Sequence, residues 1–384
     1  MSEAGSKRVA VIGFGNIGAG VVEALYVKGV PGVKLARVVD VDITTPRPVT
    51  VPPDLLATDW QAAVADPSID IIVELIGGVE PAATIVTSAL RAGKDVVTAN
   101  KMMLAHRGEE VFKLAADTGR CLGLRASFVG CHALIHEFQP AGGSPRRFRR
   151  IYAILNGTSN YILSTMTRQG TGFEEALAQA QQQGLAEPDP SDDVDGTDTA
   201  NKLRVLLSLI TSSYRHAGDF PVEGIRAVTP QDIGYARELG YTIKLVGVIE
   251  QAEGVFSLAV HPALVPENSL LGSLRGAYNG TEVETETGVV SGLVAPGAGV
   301  LPTTEAIVKD LVDIAAGHRL PAPDSATPVQ IGNTEDAYRR YYLRFSVLDQ
   351  AGVLARIGDI FWKYDISIAA VIQKEAVAKD LSRW

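Results

Sequence analysis

An aspartate and a lysine four residues apart, Asp198 and Lys202, stand where a Pro-broken acidic segment gives way to apolar residues at helical spacing from Leu203 onward. That separation puts both side chains on one face of a helix. Five carboxylates precede them: Glu187, Asp189, Asp192, Asp193 and Asp195. Together they suggest a pocket for a small cationic metabolite with an acid/base group attached. Taken alone, the run reads more plainly as a solvated acidic loop followed by an ordinary helix salt bridge. The rest of the chain argues for the pocket.

Gly13-Phe14-Gly15-Asn16-Ile17-Gly18 fits G-x-G-x-x-G, after the apolar run Val9-Ala10-Val11-Ile12 and ahead of Ile17, Val21, Val22 and Leu25 on one helical face. In that setting the glycines let backbone N–H groups approach a pyrophosphate at the positive end of a helix. Asp40 lies roughly 20 residues beyond, at the end of the next strand, where a carboxylate accepts hydrogen bonds from a ribose 2′-OH. A carboxylate there repels the 2′-phosphate of NADP, and the nearest arginine after it is Arg47. The sequence therefore points to NAD, with NADP as the alternative.

Val97-Thr98-Ala99-Asn100-Lys101 sets a lysine just past the carboxyl end of a strand, where sheets of this kind bind ligands. Asn156-Gly157-Thr158-Ser159-Asn160-Tyr161 follows another strand and opens another helix. Its free N–H groups and the Thr158 hydroxyl could hold a substrate carboxylate, or the segment is a plain N-cap with Ser159 or Thr158 as the capping residue.

These residues need elements to position them. Strands are expected at Val9–Ile12, Leu35–Val41, Ile69–Leu75, Asp95–Thr98 and Cys121–Leu124, with helices at Pro81–Ala92 and from about Gly108 to Thr118. Continuous apolar strands separated by helices imply α/β architecture, a doubly wound parallel Rossmann sheet covered on both faces. Beyond Arg149 the order changes to strand Ile151–Leu155, helices near Ser159–Gln169, Phe173–Gln183 and Thr197–Ser213, then strands Tyr241–Glu250, Val255–Pro262 and Gly288–Ala295. That order suggests an α+β substrate domain on an open sheet. The resulting division is 1–145 for the nucleotide domain, 146–302 for the substrate domain, a helix at 303–319 returning to the first domain, a linker at 320–340 and an accessory βαβ module at 341–384.

Composition narrows the function. With 46% hydrophobic and 21% charged residues the chain can bury a large core, and its 384 residues suggest two or three domains. A net charge of -9 argues against nucleic acid. The short cluster Arg146, Arg147, Arg149 and Arg150 reads as a solvated turn. No apolar run of about 18 residues exists to span a membrane, and the first residues lack the core of a signal peptide. Cys121 and Cys131 form no metal or disulfide pattern. A cytoplasmic enzyme acting on a small molecule is the expectation, without a metal site.

Five segments together resemble the homoserine dehydrogenase family: Val-Thr-Ala-Asn-Lys, Leu-Asn-Gly-Thr-Ser-Asn-Tyr-Ile-Leu, the Ala-Glu-Pro-Asp-Pro to Asp-Gly-Thr-Asp-Thr-Ala-Asn-Lys run, Glu-Leu-Gly-Tyr-Thr-Ile-Lys and Ala-Pro-Gly-Ala-Gly. The resemblance runs from Val9 to about Ala316. It implies interconversion of L-homoserine and L-aspartate 4-semialdehyde with NAD or NADP, in the route to threonine and methionine. It also implies Lys202 as general acid/base, Lys101 as a second lysine, and Asp198 orienting the substrate hydroxyl or Lys202. Glu187 and Asp193 would meet the substrate ammonium, with Gly157 and Thr158 near its other polar groups. Gly13, Phe14, Gly15, Asn16, Ile17, Gly18, Asp40, Ile76, Gly77, Lys101, Gly297 and Gly299 would line the cofactor. The substrate domain would also build a homodimer, with a tetramer as the alternative.

Burial and the neighbouring Lys101 would both lower the pKa of Lys202, while Asp198 would pull the other way. The family usually carries a glutamate and a Gly-rich loop that help hold a monovalent cation. This chain has Arg125-Ala126-Ser127-Phe128-Val129-Gly130-Cys131-His132 there, and arginine cannot ligate a cation. The tail resembles part of an ACT domain, with strands Tyr342–Val347 and Ile366–Ile372 around a helix at Leu354–Lys363. Those strands would keep open edges unless another chain covered them. Two rival readings are another Rossmann-type amino-acid dehydrogenase, aspartate- or diaminopimelate-like, and a non-catalytic amino-acid-binding regulator.

Overall fold

A computed structural model describes residues 5–128, 148–211, 220–297, 299–318, 330–332, 340–348 and 350–374. Cys131, the segment 129–132, Arg146, Arg147 and most of the expected linker lie outside the described residues.

The first sheet is parallel, in the order β3-β2-β1-β4-β5-β6. Its strands are β1 Lys7–Ile12, β2 Val33–Val39, β3 Leu56–Ala57, β4 Ile71–Glu74, β5 Asp95–Thr98 and β6 Leu122–Gly123. Alternation along each strand splits the side chains between two layers. Val9, Val11, Ile71, Val73 and Val97 face one buried cluster, whereas Ala10, Ile12, Ile72 and Val96 face the other. The apolar runs are continuous because both faces are covered.

On one face lies α1 (Asn16–Val22), which runs into a π-helical stretch at Glu23–Lys28. The other face carries α2 (Trp60–Ala65), α3 (Ala82–Arg91) and α4 (Lys101–Thr118). Helix α4 starts at Lys101 rather than near Gly108, because Asn100 caps it by accepting from the Met103 N–H at 2.9 Å.

The second sheet has the order β11-β10-β7-β8-β9-β12 and is antiparallel except where β12 joins β9. It comprises β7 Phe148–Ile154, β8 Tyr241–Ala252, β9 Val255–Pro266, β10 Tyr278–Thr285, β11 Val290–Pro296 and β12 Gln330–Ile331. Residues 330–331, expected as linker, instead extend the sheet edge. Strand β10 escaped the sequence reading because its apolar content is low. It is an alternating strand whose Thr281 and Val283 point inward.

Helices α5 (Gly157–Gln169), α6 (Phe173–Gln182), α7 (Ser191–Val194), α8 (Thr197–Thr211), α9 (Pro230–Glu238) and α10 (Leu270–Ser273) complete this part. Packing of α4 on α8 joins the two parts. Helix α11 (Val300–Ala315) then returns to α1, burying Ile307, Leu311 and Ile314 in the nucleotide-side core. Each such side chain contributes about 1.5–3 kcal/mol by leaving water. Gly20 permits the approach, since a Cβ there would lie 2.5 Å from Thr304 Oγ1.

The tail corrects an expectation. Helix α12 (Val353–Lys363) forms, but residues 342–347 and 366–372 are not strands, so the ACT-like βαβ unit is absent from the described residues. A strand needs a ladder partner, and neither segment has one among the described residues. Side chains dock the tail instead. Tyr342 donates to Asp232 at 2.9 Å, and Arg344 lies 2.8 Å from the same carboxylate on α9.

Candidate active site

The seam between α4 and α8 gathers the residues singled out for chemistry. Asp198, in the first turn of α8, is almost wholly buried. One of its oxygens pairs with Lys101 from the head of α4. The other lies 2.7 Å from Lys202, one helical turn along, and 2.9 Å from Asn156 Nδ2. Lys202 also donates to the Leu155 carbonyl at 2.6 Å, which pins its ammonium at the end of β7. One carboxylate thus stands between two lysines delivered by different helices.

Burial works against the charge of Asp198, but Lys202 and Lys101 outweigh it and hold the carboxyl well below its usual range. Burial likewise opposes the charge on Lys101, yet Asp198, then Asp193 and Asp192, raise its pKa above the ordinary lysine value. For Lys101 the carboxylates win, because Asp198 sits between the two cations.

Asn156, quoted in the sequence reading without a role of its own, ties this cluster together. It, not Ser159 or Thr158, caps α5, accepting from the Ser159 N–H at 2.7 Å. Its amide then donates to Asp193 at 2.6 Å as well as to Asp198. Burial raises the pKa of Asp193, with the Asn156 hydrogen bond opposing the shift. The local signal was present, since asparagine before a helix is among the best caps. Its second role spans about 40 residues and has no local signature.

Thr158 donates its hydroxyl to the Leu185 carbonyl at 2.8 Å. Gly157 is required where it stands, since a Cβ would meet the Ala277 carbonyl oxygen at 2.8 Å. Lys244, fully buried on β8, donates to Asn160 Oδ1 at 2.8 Å and to the Leu274 carbonyl, bracing α5 from behind. Burial, then Arg275, pushes its pKa down to about 7.

The five loop carboxylates do not form one pocket. Asp189 accepts from the Ser191 N–H and hydroxyl, and Asp195 pairs with Arg226 at 2.5 Å. Asp192 and Glu187 are exposed, and Asp193 alone of the five turns toward Asp198 through Asn156. Arg226 could not have been matched to Asp195 from spacing.

At the nucleotide end the three motif glycines do different work. Gly13 has φ of +104°, and a Cβ there would press on Leu75 at 2.7 Å. A Cβ on Gly18 would lie 2.0 Å from the Gly13 carbonyl oxygen, while one on Gly15 would meet nothing within 4 Å. Tight turn, open approach and close packing are what a pyrophosphate-binding turn requires, so these residues fit a dinucleotide. Asn16 and Ile17 begin α1 at that turn.

Asp40 accepts from the Phe14 N–H at 2.5 Å and from the Asp42 N–H at 2.9 Å. Arg47 stands close by, its guanidinium 6.0 Å from the Phe14 ring centre. Ile76 and Gly77 are exposed just after β4. Gly297 is buried near Asn279, and Gly299 caps α11 with φ of +134°. Arg125 is buried against Asp310 and Asp313. No cluster of three or more metal-ligating side chains occurs among the described residues.

Two family models match the chain: the homoserine dehydrogenase NAD-binding domain over residues 13–123 and homoserine dehydrogenase over residues 138–312. A homoserine dehydrogenase of Synechocystis sp. is 38% identical, the alignment covering 95% of this chain and 89% of that one. The chain belongs to the homoserine dehydrogenase family. Its homoserine dehydrogenase relatives include that of Bacillus subtilis, 32% identical over 95% of this chain and 87% of that one. The crystal structure of a homoserine dehydrogenase from Thiobacillus denitrificans superposes with a TM-score of 0.83 at 33% identity, covering 96% of this chain and 89% of that one.

Proposed function

We propose that the chain interconverts L-homoserine and L-aspartate 4-semialdehyde, with Lys202 as general acid/base. The arrangement of Lys101 and Lys202 around the single carboxylate of Asp198 carries this reading. Bound nicotinamide supplies the hydride acceptor. In the oxidising direction a neutral Lys202 takes the hydroxyl proton of homoserine, and Lys101 steadies the oxygen as charge gathers on it. Asp198 fixes where both ammonium groups lie. Glu187 and Asp193 receive the substrate ammonium, and Gly157 and Thr158 its other polar groups.

The cofactor lies along Gly13 to Gly18, Asp40, Ile76, Gly77, Lys101, Gly297 and Gly299. Asp40 favours NAD over NADP by repelling a 2′-phosphate. The division of the chain at about 145 is supported by the change of sheet between β6 and β7, the one at about 302 by the return of α11 to α1, although β12 rejoins the second sheet beyond it. The substrate domain builds a homodimer. No helix among the described residues is long and apolar enough to cross a membrane; a cytoplasmic setting belongs to this reading.

The test is a spectrophotometric assay of the purified chain with homoserine and each cofactor, repeated on Lys101→Ala and Lys202→Ala. Homoserine-dependent reduction that both variants abolish is expected; no turnover with either cofactor rejects the reading.

A further inference from the structure

Glu74, the last residue of β4, is fully buried, and no cation pairs with it among the described residues. A carboxylate in that position survives only if donors surround it. Three do. The Ile76 N–H lies 2.8 Å and the Gly77 N–H 3.4 Å from one oxygen, and the Thr98 hydroxyl lies 2.6 Å from the other. Thr98 is its cross-strand neighbour on β5.

From Thr98 the bonding continues. Its hydroxyl oxygen accepts from the Asn100 N–H at 2.9 Å, and the Asn100 amide donates to the Gly78 carbonyl at 2.7 Å. Gly78 closes the loop that starts at Glu74, so the chain of bonds is a ring: Glu74, the 76–78 loop, Asn100, Thr98, and Glu74 again. Asn100 is also the cap that starts α4, and the next residue is Lys101.

We infer that Glu74 is a positioning residue that fixes the 76–78 loop and Lys101 relative to one another, through this ring. It rests on the proposed function, in which that loop lines the cofactor and Lys101 faces the reacting oxygen. A carboxylate suits the task because every partner donates. Glutamine must turn its NH2 either on two backbone N–H groups or on a hydroxyl that already accepts from Asn100. In the first case two N–H groups lose their acceptor; in the second the Thr98 proton loses its carboxylate and the ring closes only through weaker neutral bonds. An error of about 1 Å at a reacting group costs up to about 100-fold in rate.

The test uses the full chain with Glu74→Gln, Thr98→Val, Thr98→Ser and, as a reference, Lys101→Ala. Glu74→Gln and Thr98→Val should each raise the cofactor KM and lower kcat, by about tenfold or more, while Thr98→Ser, which keeps the hydroxyl, restores both. Loss of folded protein alone would lower kcat and leave KM unmoved, so the KM shift separates positioning from damage. If Glu74→Gln fails to fold, the Thr98 pair decides. Wild-type cofactor KM and kcat in a folded Glu74→Gln or in Thr98→Val overturns the inference. Undiminished turnover in Lys101→Ala would remove the functional reading itself, and the inference with it.

Discussion

Asp198 lies 2.7 Å from Lys202 on its own helix and is paired through its second oxygen with Lys101 at the head of α4. Neither lysine is free to act without reference to this carboxylate. The site's behaviour therefore depends on which charges Asp198 meets as substrate arrives.

Removing the acid/base group should be costly and specific. Lys202→Ala is expected to lower kcat by roughly 100-fold or more, the range general acid–base catalysis supplies, with little change in cofactor KM. Steady-state kinetics decide it; near wild-type turnover would pass the role to Lys101.

Asp198→Asn should move the pH profile as well as the rate. Asp198 lies 2.7 Å from Lys202, and a neighbouring carboxylate favours the charged form of an amine, so removing its charge favours neutral Lys202. Homoserine oxidation, which needs a neutral amine, should then gain its alkaline limb at lower pH than in the wild type. For stability the sign is reversed. The depressed carboxyl of Asp198 contributes stability above the ordinary carboxylate pKa, about 3.9, and loses it as pH falls further. The variant should therefore lack part of the wild type's loss of stability at acid pH. A log kcat profile that keeps its wild-type alkaline limb would contradict the coupling.

Glu187 and Asp195 should separate. Glu187→Gln is expected to raise the homoserine KM while the cofactor KM holds. Asp195→Asn breaks an exposed pair with Arg226 worth about 0–1 kcal/mol, and should leave both KM values alone. Equal behaviour of the two variants would return Glu187 to a solvated role.

Asp40→Ser tests cofactor choice with an added cost. The wild type should show a higher kcat/KM with NAD than with NADP, and the variant a narrower gap. Because Asp40 also holds the Phe14 N–H, KM should rise for both cofactors. A wild-type preference for NADP would reject the assignment and turn attention to Arg47.

Much of the nucleotide domain was legible, because strands covered on both faces write themselves as unbroken apolar runs and the glycine turn has fixed spacing. The motif lysines and Asp198 were legible too. What escaped reading depends on partners far along the chain: Arg226 for Asp195, Thr98 for Glu74, and the double donation of Asn156. Strand β10 hid behind polar alternation, and the start of α4 behind an asparagine cap. The tail misled for the opposite reason. Its apolar alternation at 342–347 reads as a strand, but no neighbouring edge completes a ladder among the described residues, and Tyr342 and Arg344 bind α9 instead.

The packing of α4 on α8 has a bearing on protein engineering. Lys101 travels with the nucleotide domain, whereas Asp198 and Lys202 travel with its neighbour. Grafting a foreign nucleotide module that lacks a lysine at the head of α4, to alter cofactor preference, would leave Asp198 facing one lysine. A working chimera has to cross over ahead of that helix, keeping Asn100 and Lys101 from the parent, or accept a half-built centre however well the graft folds.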